Sequence, residues 1–379
     1  MKIPFNKVYF TGKEEKYVLD ALKSGAHCGN HKYCNKVVNL IKEKYNFKEV
    51  FLTPSCTSAL EMGAVLAGIG QGDEVILPSY TFSSTVNSIV LFGAKPVFCD
   101  IDPKTMNIDV NKIENLITSR TKMILPIDYG GVSCEIDRIM EIAEKYNLIV
   151  MQDCAQSYGS YYKGKVAGSV PHLAAFSFHE TKNYNAGEGG ALVVNKKEWV
   201  ERAFFLQEKG TDRRLVLNGV KNKYSWVDKG SSYLLSDILA AMLLAQLEEE
   251  EIIKAKREKI TEGYFHIFNK YINDKKVVTL SKNKYQQLNH HAFWVVFDTV
   301  ANKNKFMQLL RERDIYVYIG YLPLHSSPMG KKFGYNKWDL PITEDLANRI
   351  VRLPFYTDLA ENGLNYCLNE MKKVLEIIY

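Results

Sequence analysis

The sequence lacks a hydrophobic run long enough to cross a membrane, which would need about 20 consecutive apolar residues. Its longest apolar stretch, residues 233–247, is interrupted by Ser236, Asp237 and Gln246. The first residues contain no apolar core of secretory length, so we expect neither export nor membrane insertion. A strong charge of either sign is also missing, because 49 basic and 43 acidic side chains leave a formal charge of +6. That balance favours small anionic ligands over nucleic acid as partners.

Paired cysteines and metal-binding motifs are missing as well. The seven cysteines are an odd number scattered through apolar segments, which indicates reduced thiols and a cytoplasmic location. Four possible soft ligands lie within residues 27–34, but they are too close together to surround a tetrahedral ion, so we expect no metal. Residues 68–72 resemble half of a dinucleotide-binding fingerprint, yet they precede a predicted strand where the fingerprint must follow one.

Short β-branched runs alternate with amphipathic segments of helix length over the first two thirds of the chain. The runs are almost continuously hydrophobic, as strands covered on both faces are. This alternation predicts an α/β fold with a mainly parallel sheet wrapped by helices. The predicted strands are 50–53, 74–77, 96–99, 123–127 and 148–151, and the predicted helices between them are 57–68, 83–91 and 135–146.

The pattern changes near residue 248. A charged helical run over 248–259 precedes mixed strands and helices. We therefore predict a large domain over residues 1–248 and a smaller α+β domain over residues 249–379. The apolar segment 232–247 is predicted to form a helix whose exposed surface a second subunit would cover.

Lys182 stands between an apolar segment, residues 174–178, and a glycine turn at 187–190. A lysine held away from water has a lowered pKa and becomes a nucleophilic amine. Taken alone, the pattern fits a surface lysine in a loop more often than a reactive one. Two further segments change that balance.

Asp153 follows the predicted strand 148–151, at an edge where open α/β sheets bind their ligands. A carboxylate there can pair with the protonated ring nitrogen of pyridoxal phosphate, so that the ring withdraws electrons. Residues 53–60 follow a strand and open a helix, and their free amides and hydroxyls can hold a phosphate. An ordinary helix cap explains this last segment equally well.

Several motifs in this order resemble the DegT/DnrJ/EryC1/StrS family of sugar aminotransferases: Pro78–Phe82, Asp153–Gln156, Ser177–Asn183 and the glycine turn after them. The resemblance extends from Ile3 to the C-terminal region. It implies pyridoxal-phosphate fold type I, the aspartate aminotransferase-like fold, with a large cofactor-binding domain and a smaller C-terminal domain. It also implies a homodimer with shared active sites.

Within the family, the chain is most similar to enzymes that use L-glutamate to aminate carbon 4 of dTDP-4-dehydro-6-deoxyglucose. Their product is dTDP-4-amino-4,6-dideoxygalactose, a precursor of surface polysaccharide such as O-antigen or common antigen. The alternatives left open are the 4-amino-4,6-dideoxyglucose epimer, a 3-amino sugar, and a catalytically silent sensor or scaffold. A pyridoxamine-dependent sugar dehydratase is disfavoured, since that branch replaces the lysine that this chain retains at position 182.

The resemblance assigns roles residue by residue. Lys182 would bond the cofactor and move protons, and Asp153 would pair with the ring nitrogen. The other implied cofactor contacts are Thr57, Ser58 and Ser177 at the phosphate, Phe82 stacked on the ring, Gln156 at the ring hydroxyl, and Ser232 at the partner subunit's cofactor phosphate.

Tyr321 and His325 would contact the substrate. Two positions depart from the family pattern: most members have asparagine in place of Ser232, and a histidine usually stands where this chain has Gly320. From the residues alone, Phe82 could be a core side chain, and a histidine such as His325 is more often structural than ligand-binding.

Overall fold

Helices and strands alternate along the chain, which the computed structural model describes over residues 1–280 and 284–379. The α-helices are α1 (Glu14–Lys23), α2 (Lys32–Tyr45), α3 (Cys56–Leu66), α4 (Ser83–Val90), α5 (Val110–Ile113), α6 (Ile136–Lys145), α7 (Val200–Gln207), α8 (Arg213–Leu217), α9 (Asp237–Leu247), α10 (Glu250–Asn273), α11 (Val300–Arg311), α12 (Pro328–Lys332), α13 (Pro341–Arg349) and α14 (Leu364–Ile378). The strands are β1 (Val50–Thr53), β2 (Glu74–Pro78), β3 (Lys95–Cys99), β4 (Thr121–Ile124), β5 (Ile149–Asp153), β6 (Tyr161–Tyr162), β7 (Lys165–Val166), β8 (Leu173–Ser177), β9 (Gly190–Val194), β10 (Val277–Thr279), β11 (Gln286–Gln287), β12 (Trp294–Phe297) and β13 (Ile350–Arg352).

The largest sheet has the strand order β1-β9-β8-β5-β4-β2-β3. All pairs from β8 to β3 are parallel, whereas β9 runs antiparallel to both β1 and β8. Helix α3 packs on β8 and β9, and α6 packs on β4 and β5. Every residue of β1, β2, β8 and β9 is buried, as expected for strands covered on both faces. The predicted α/β fold class is therefore confirmed.

Some predicted boundaries need correction. The predicted strand 123–127 ends at Ile124, because Pro126 has no amide hydrogen to donate to the sheet. The predicted helical run 248–259 continues to Asn273, since buried side chains recur along one face of α10 as far as Phe268 and Tyr271. Strand β9 was not predicted, and it enters the sheet between β1 and β8.

Helix α9 begins at Asp237 and is almost entirely apolar, with the Ser236 hydroxyl capping its first turn. It packs against α1 and α2 of its own chain, and its leucines Leu243, Leu244 and Leu247 are buried there. This helix therefore does not need a second subunit to cover it, contrary to the prediction.

A second, antiparallel sheet has the order β10-β12-β13 and shares a core with α10, α11 and α14. Tyr80 and Tyr129, which follow strands of the larger sheet, join this core next to Trp294. Because that core crosses residue 248, the division into residues 1–248 and 249–379 stays a prediction. Within residues 1–280 and 284–379, no helix combines the length and apolar character that a membrane crossing requires.

Candidate active site

The carboxyl ends of β5 and β8 and the segments after β1 and β2 border one cleft of about 470 Å³. This is the edge at which open α/β sheets hold ligands. The cleft brings together most of the predicted site residues: Thr57, Phe82, Asp153, Gln156, Ser177, Lys182 and Tyr321. Several other residues that line the cleft were not predicted from the sequence, among them Ser55, Ser84, Thr85, His179 and Glu188.

Lys182 lies in the tight turn that follows β8, where its backbone N–H donates to the carbonyl oxygen of His179 at 2.8 Å. Burial lowers the pKa of the Lys182 amine, and the negative charge of Asp153 partly opposes that shift. A lowered pKa leaves more of the amine neutral, and hence nucleophilic, near neutral pH.

Asp153 ends β5 and is only 7% exposed. Its carboxylate accepts hydrogen bonds from the Thr85 hydroxyl at 2.8 Å and from the backbone N–H of Ala155 at 3.0 Å. Burial raises the pKa of this carboxyl, while the two hydrogen bonds stabilise the charged form and act in the opposite direction. Thr85 is itself bonded to the Thr81 hydroxyl at 2.7 Å, so the carboxylate is held in a fixed orientation.

Replacing Thr85 with valine should raise the pKa of Asp153, because a hydrogen bond that favours the ionised carboxylate is lost. If activity requires ionised Asp153, the acid limb of the pH-rate profile moves to higher pH, with a loss on the order of tenfold at mildly acidic pH. A pH profile of the turnover rate checks this. The matched variant Thr118→Val removes a hydroxyl bonded to Glu74, away from the cleft, and should leave the profile in place. An unshifted acid limb in the Thr85 variant would contradict the assignment.

The start of α3 forms one end of the cleft, with Ser55, Cys56 and Thr57 in its lining. The Thr57 hydroxyl donates to the Ser84 hydroxyl at 2.8 Å, which joins α3 to the first turn of α4. Ser177 also lines the cleft. Free amides at a helix start and adjacent hydroxyls are groups that bind phosphate.

Ser58 does not line the cleft. Its N–H donates to the Ser55 hydroxyl at 3.1 Å, and its own hydroxyl meets the same oxygen at 3.1 Å. Ser58 thus takes part in the helix cap, and its contact with the phosphate stays a prediction. Ser55 and Ser84 occupy the wall instead.

Gln156 and Tyr321 also line the cleft and are hydrogen-bonded to each other. The Gln156 amide accepts from the backbone N–H of Gly130 at 2.7 Å and donates to the Tyr321 hydroxyl at 3.0 Å. Burial raises the pKa of Tyr321 to about 12, so its hydroxyl stays protonated and can donate a hydrogen bond. Phe82 is 57% exposed at the mouth, with its ring 6.1 Å from that of Tyr321. An aromatic ring left open to a cleft can stack on a planar ligand.

Gly320 has no room for a side chain. A Cβ atom at this position would overlap the hydroxyl of Tyr80, which accepts the backbone N–H of Tyr321 at 3.2 Å. At this position, where most family members have a histidine, the backbone of the chain lies close against the Tyr80 ring.

Gly320→Ala should therefore lower the free energy of unfolding by about 1–3 kcal/mol, because the overlap forces Tyr80 or the backbone to move. Denaturant titration measures the change. Gly70→Ala is the matched control, since a methyl group there meets open space. Equal stability of the two variants would contradict the close approach.

His325 is fully buried and lies away from the cleft. Its Nδ1 atom lies 2.7 Å from the Ser79 hydroxyl and its Nε2 atom 3.4 Å from a Glu344 carboxylate oxygen. The predicted substrate contact is therefore corrected: His325 packs α13 against the end of β2, as the structural alternative proposed. Ser232 is exposed and does not line the cleft of its own chain.

The DegT/DnrJ/EryC1/StrS aminotransferase family matches residues 9–372 of the chain. The chain belongs to this family. It is 32% identical over 368 residues to GDP-perosamine synthase from Escherichia coli O157:H7, a match that covers 96% of each chain. It is 31% identical over 378 residues to the spore coat polysaccharide biosynthesis protein SpsC from Bacillus subtilis, covering 96% of this chain and 95% of SpsC.

The fold agrees with that of solved structures. An aminotransferase from Psychrobacter cryohalolentis superposes with a TM-score of 0.92 at 24% identity, covering 99% of this chain and 100% of that one. The chain is thus an aminotransferase of the sugar-modifying DegT family with pyridoxal-phosphate fold type I, as the sequence indicated.

Pyridoxal 5′-phosphate is the cofactor of this family. The cleft fits such a group: it offers a half-buried amine of lowered pKa, a buried carboxylate, an open aromatic ring and a helix start with hydroxyls. Across the described ranges, no group of three or more His, Cys, Asp or Glu side chains could hold a metal ion. Cys28 and His31, from the cluster near residue 30, contact each other at 3.2 Å on the surface.

Proposed function

We propose that this sugar aminotransferase moves the amino group of L-glutamate to the 4-keto carbon of dTDP-4-dehydro-6-deoxyglucose. The product would be dTDP-4-amino-4,6-dideoxygalactose, a precursor for surface polysaccharide. One observation carries the proposal: Lys182, with its lowered pKa, and Asp153, a buried carboxylate, line the same cleft at the sheet edge. The sequence resemblance supports the choice of sugar.

The bound cofactor would supply a covalent attachment point for the amine and a ring that takes up the electrons released at the donor's α-carbon. Lys182 would hold it and then act as the general base and acid that removes and returns the proton at that carbon. Asp153 would keep the ring nitrogen protonated, and Gln156 would contact the ring hydroxyl. Thr57 and Ser177 would bind the phosphate beside the start of α3, and Phe82 would cover the ring.

A GDP-linked keto-sugar is the second candidate acceptor, because GDP-perosamine synthase is similar to this chain over nearly its full length. The modest positive charge of the chain suits a diphosphate in both cases.

The acceptor is identified by supplying L-glutamate with the dTDP-linked or the GDP-linked 4-keto-6-deoxysugar and analysing each product by NMR. We expect an amine at carbon 4, in the axial position, with the dTDP sugar as the better substrate. A better rate with the GDP sugar would move the assignment to the second candidate. An equatorial amine at carbon 4 would change only the configuration assigned to the product. An amine at carbon 3 would show that the enzyme acts at carbon 3 and not at carbon 4.

We further propose that the working unit is a homodimer in the cytoplasm. The segment between α7 and α9 leaves several large apolar side chains exposed, among them Leu217 at 72%, Val220 at 68% and Trp226 at 81%. Leaving so many apolar groups in water is costly, and a second copy of the chain can cover them. Ser232 lies near the end of this segment and would then reach the partner subunit's cofactor phosphate.

The double variant Leu217→Ser/Trp226→Ser should dissociate the dimer, because it removes apolar area from the proposed interface. Sedimentation velocity compares its mass with that of the unmodified chain. Leu91→Ser, at an exposed leucine after α4, is the control and should remain dimeric. A fully active monomer of the unmodified chain would contradict the proposal.

A further inference from the structure

The connection between β8 and β9 carries Lys182 together with two further residues of the cleft lining, His179 and Glu188. The two strands run antiparallel with Ser177 paired to Gly190, and the same register places His179 opposite Glu188. Backbone hydrogen bonds of 2.8 and 2.9 Å continue the pairing into the connection. The two side chains therefore face each other across a closed turn that also holds the reactive lysine.

The hydrogen bonds of His179 determine which of its ring nitrogens carries the hydrogen. The Nδ1 atom accepts the backbone N–H of Thr181 at 3.2 Å and lies 2.9 Å from the Thr181 hydroxyl, so Nδ1 is unprotonated. The hydrogen of the neutral ring is then on Nε2, which lies 3.6 Å from a carboxylate oxygen of Glu188. An N–H···O hydrogen bond spans about 2.7–3.2 Å, so the two groups do not satisfy each other.

His179 and Glu188 thus have unused hydrogen-bonding capacity at the cleft. Among the residues that the structure describes, Glu188 has no other charged partner, and its side chain is 65% exposed. One oxygen atom can lie about 2.8 Å from both groups at once, since they are only 3.6 Å apart. A hydroxyl group suits this position, because it accepts from the Nε2–H and donates to the carboxylate. A ligand carboxylate or phosphate would instead be repelled by Glu188.

We propose that His179 and Glu188 bind the hydroxyl group on carbon 3 of the acceptor sugar and so align carbon 4 for amination. The inference rests on the proposed function. In a 4-keto-6-deoxysugar, carbon 3 is the neighbour of the reacting carbon that carries a hydroxyl, whereas carbon 5 carries the methyl group. A receptor for that hydroxyl has to lie beside the reacting centre, and this pair flanks Lys182 within one turn. The negative charge of Glu188 disfavours the carboxylates of L-glutamate and the diphosphate at the same place.

The test compares the better of the dTDP-linked and GDP-linked acceptors with the same nucleotide sugar lacking the hydroxyl on carbon 3. In the unmodified enzyme, we expect kcat/KM to be lower for the 3-deoxy sugar on the order of 10- to 100-fold, because a hydrogen bond to a charged group is lost. Glu188→Ala and His179→Phe should lose a similar factor with the complete acceptor. In both variants, removal of the 3-hydroxyl should then cost less than about threefold, since the contact is already missing.

Two further variants separate the contact from a general disturbance of the turn. His179→Gln keeps an N–H donor and should lose less than His179→Phe. Glu198→Ala is the matched control, because the Glu198 side chain is also 65% exposed but lies outside the cleft lining. It should keep the preference of the unmodified enzyme for the 3-hydroxyl.

Binding measures the contact without turnover. Isothermal titration calorimetry on the cofactor-loaded enzyme uses the nucleotide-linked 6-deoxysugar with a hydroxyl at carbon 4, which has neither a keto group nor an amine, and its 3-deoxy counterpart. The unmodified enzyme should bind the first on the order of tenfold more tightly, whereas Glu188→Ala should bind the two within about threefold of each other.

Single-turnover kinetics separate the two halves of the reaction. The step with L-glutamate should stay within about threefold of the unmodified rate in Glu188→Ala and His179→Phe. A penalty for the 3-deoxy sugar that is absent from the unmodified enzyme, or equally large in Glu188→Ala, would overturn the inference. So would a defect confined to the step with L-glutamate. Failure of the unmodified enzyme to transfer nitrogen to either acceptor would instead overturn the proposed function.

Discussion

Replacing Lys182 with alanine is expected to lower the rate of nitrogen transfer by at least about a thousandfold and to abolish covalent retention of the cofactor. The Lys182 amine would both attach the cofactor and transfer the proton. Proton transfer by a positioned side chain alone raises a reaction rate on the order of 10²- to 10⁴-fold. Steady-state turnover with L-glutamate and the keto-sugar gives the rate. Borohydride reduction followed by peptide mapping of the unmodified chain should place the cofactor on Lys182.

Lys165→Ala is the matched control, because Lys165 is an exposed lysine on the short strand β7, outside the lining of the cleft. It should keep full activity and the same labelled peptide. A thermal melt of both variants shows whether the fold is retained. A labelled peptide that lacks Lys182, or near-normal turnover of Lys182→Ala, would remove Lys182 from its proposed role.

Asp153→Asn should retain the fold and still lose about a thousandfold in turnover. The substitution keeps the size and most hydrogen-bonding capacity of the side chain but removes the charge that would keep the ring nitrogen protonated. An electrostatic partner at a reacting centre contributes several kcal/mol, which corresponds to a loss of this size. The hydrogen bonds from Thr85 and Ala155 hold the Asp153 carboxylate in one orientation, and we expect an asparagine side chain to be held in the same orientation.

The control for Asp153 is Asp345→Asn, which removes a carboxylate paired with Arg349 on the surface of α13. It should leave turnover unchanged within about twofold, because exposed ion pairs contribute little. The absorption spectrum of bound cofactor provides a second readout, since a change of ring protonation alters it without any need for turnover. A normal rate in Asp153→Asn would mean that this carboxylate only holds the end of β5.

The fold class could be predicted because the buried strands are continuous apolar runs separated by helix-length segments. The ends of individual strands and helices were harder to predict from the sequence. Pro126 shortens one predicted strand for a reason visible in the sequence, whereas β9 could not be placed, because its antiparallel insertion between β1 and β8 depends on contacts distant in the chain. The apolar character of α9 shows that the helix is buried, but it does not show whether its own chain or a second copy covers it.

Those residues of the candidate site that lie in short sequence motifs with reactive side chains could be predicted. Lys182 and Asp153 were found from their positions after strands, and the structure brings them to one cleft. Thr85 was missed, although the hydroxyls at 81 and 85 are spaced to meet on one helix turn after a predicted strand. Glu188 was also missed, because its place opposite His179 results from β9 pairing with β8.

Hydrogen bonds within the protein involve two of the residues predicted to contact a ligand. Ser58 and His325 carry side chains that could bind a ligand, but each is already bonded within the protein, to Ser55 and to Ser79 respectively. Gly320 is a similar case, since its missing side chain reflects the nearby Tyr80 hydroxyl. Residue type indicates what a side chain can do, whereas the tertiary contacts decide whether it is free to do it.

The central claim, that the cleft containing Lys182 transfers an amino group to a nucleotide-linked keto-sugar, is tested most directly with ¹⁵N-labelled L-glutamate. The enzyme is incubated with the labelled donor and dTDP-4-dehydro-6-deoxyglucose, and the product is examined by ¹⁵N-edited NMR. We predict ¹⁵N bonded to carbon 4 of the sugar, an equal amount of 2-oxoglutarate, and no labelled sugar with Lys182→Ala. Absence of ¹⁵N from the sugar with the unmodified enzyme, for both the dTDP-linked and GDP-linked acceptors, would contradict the account.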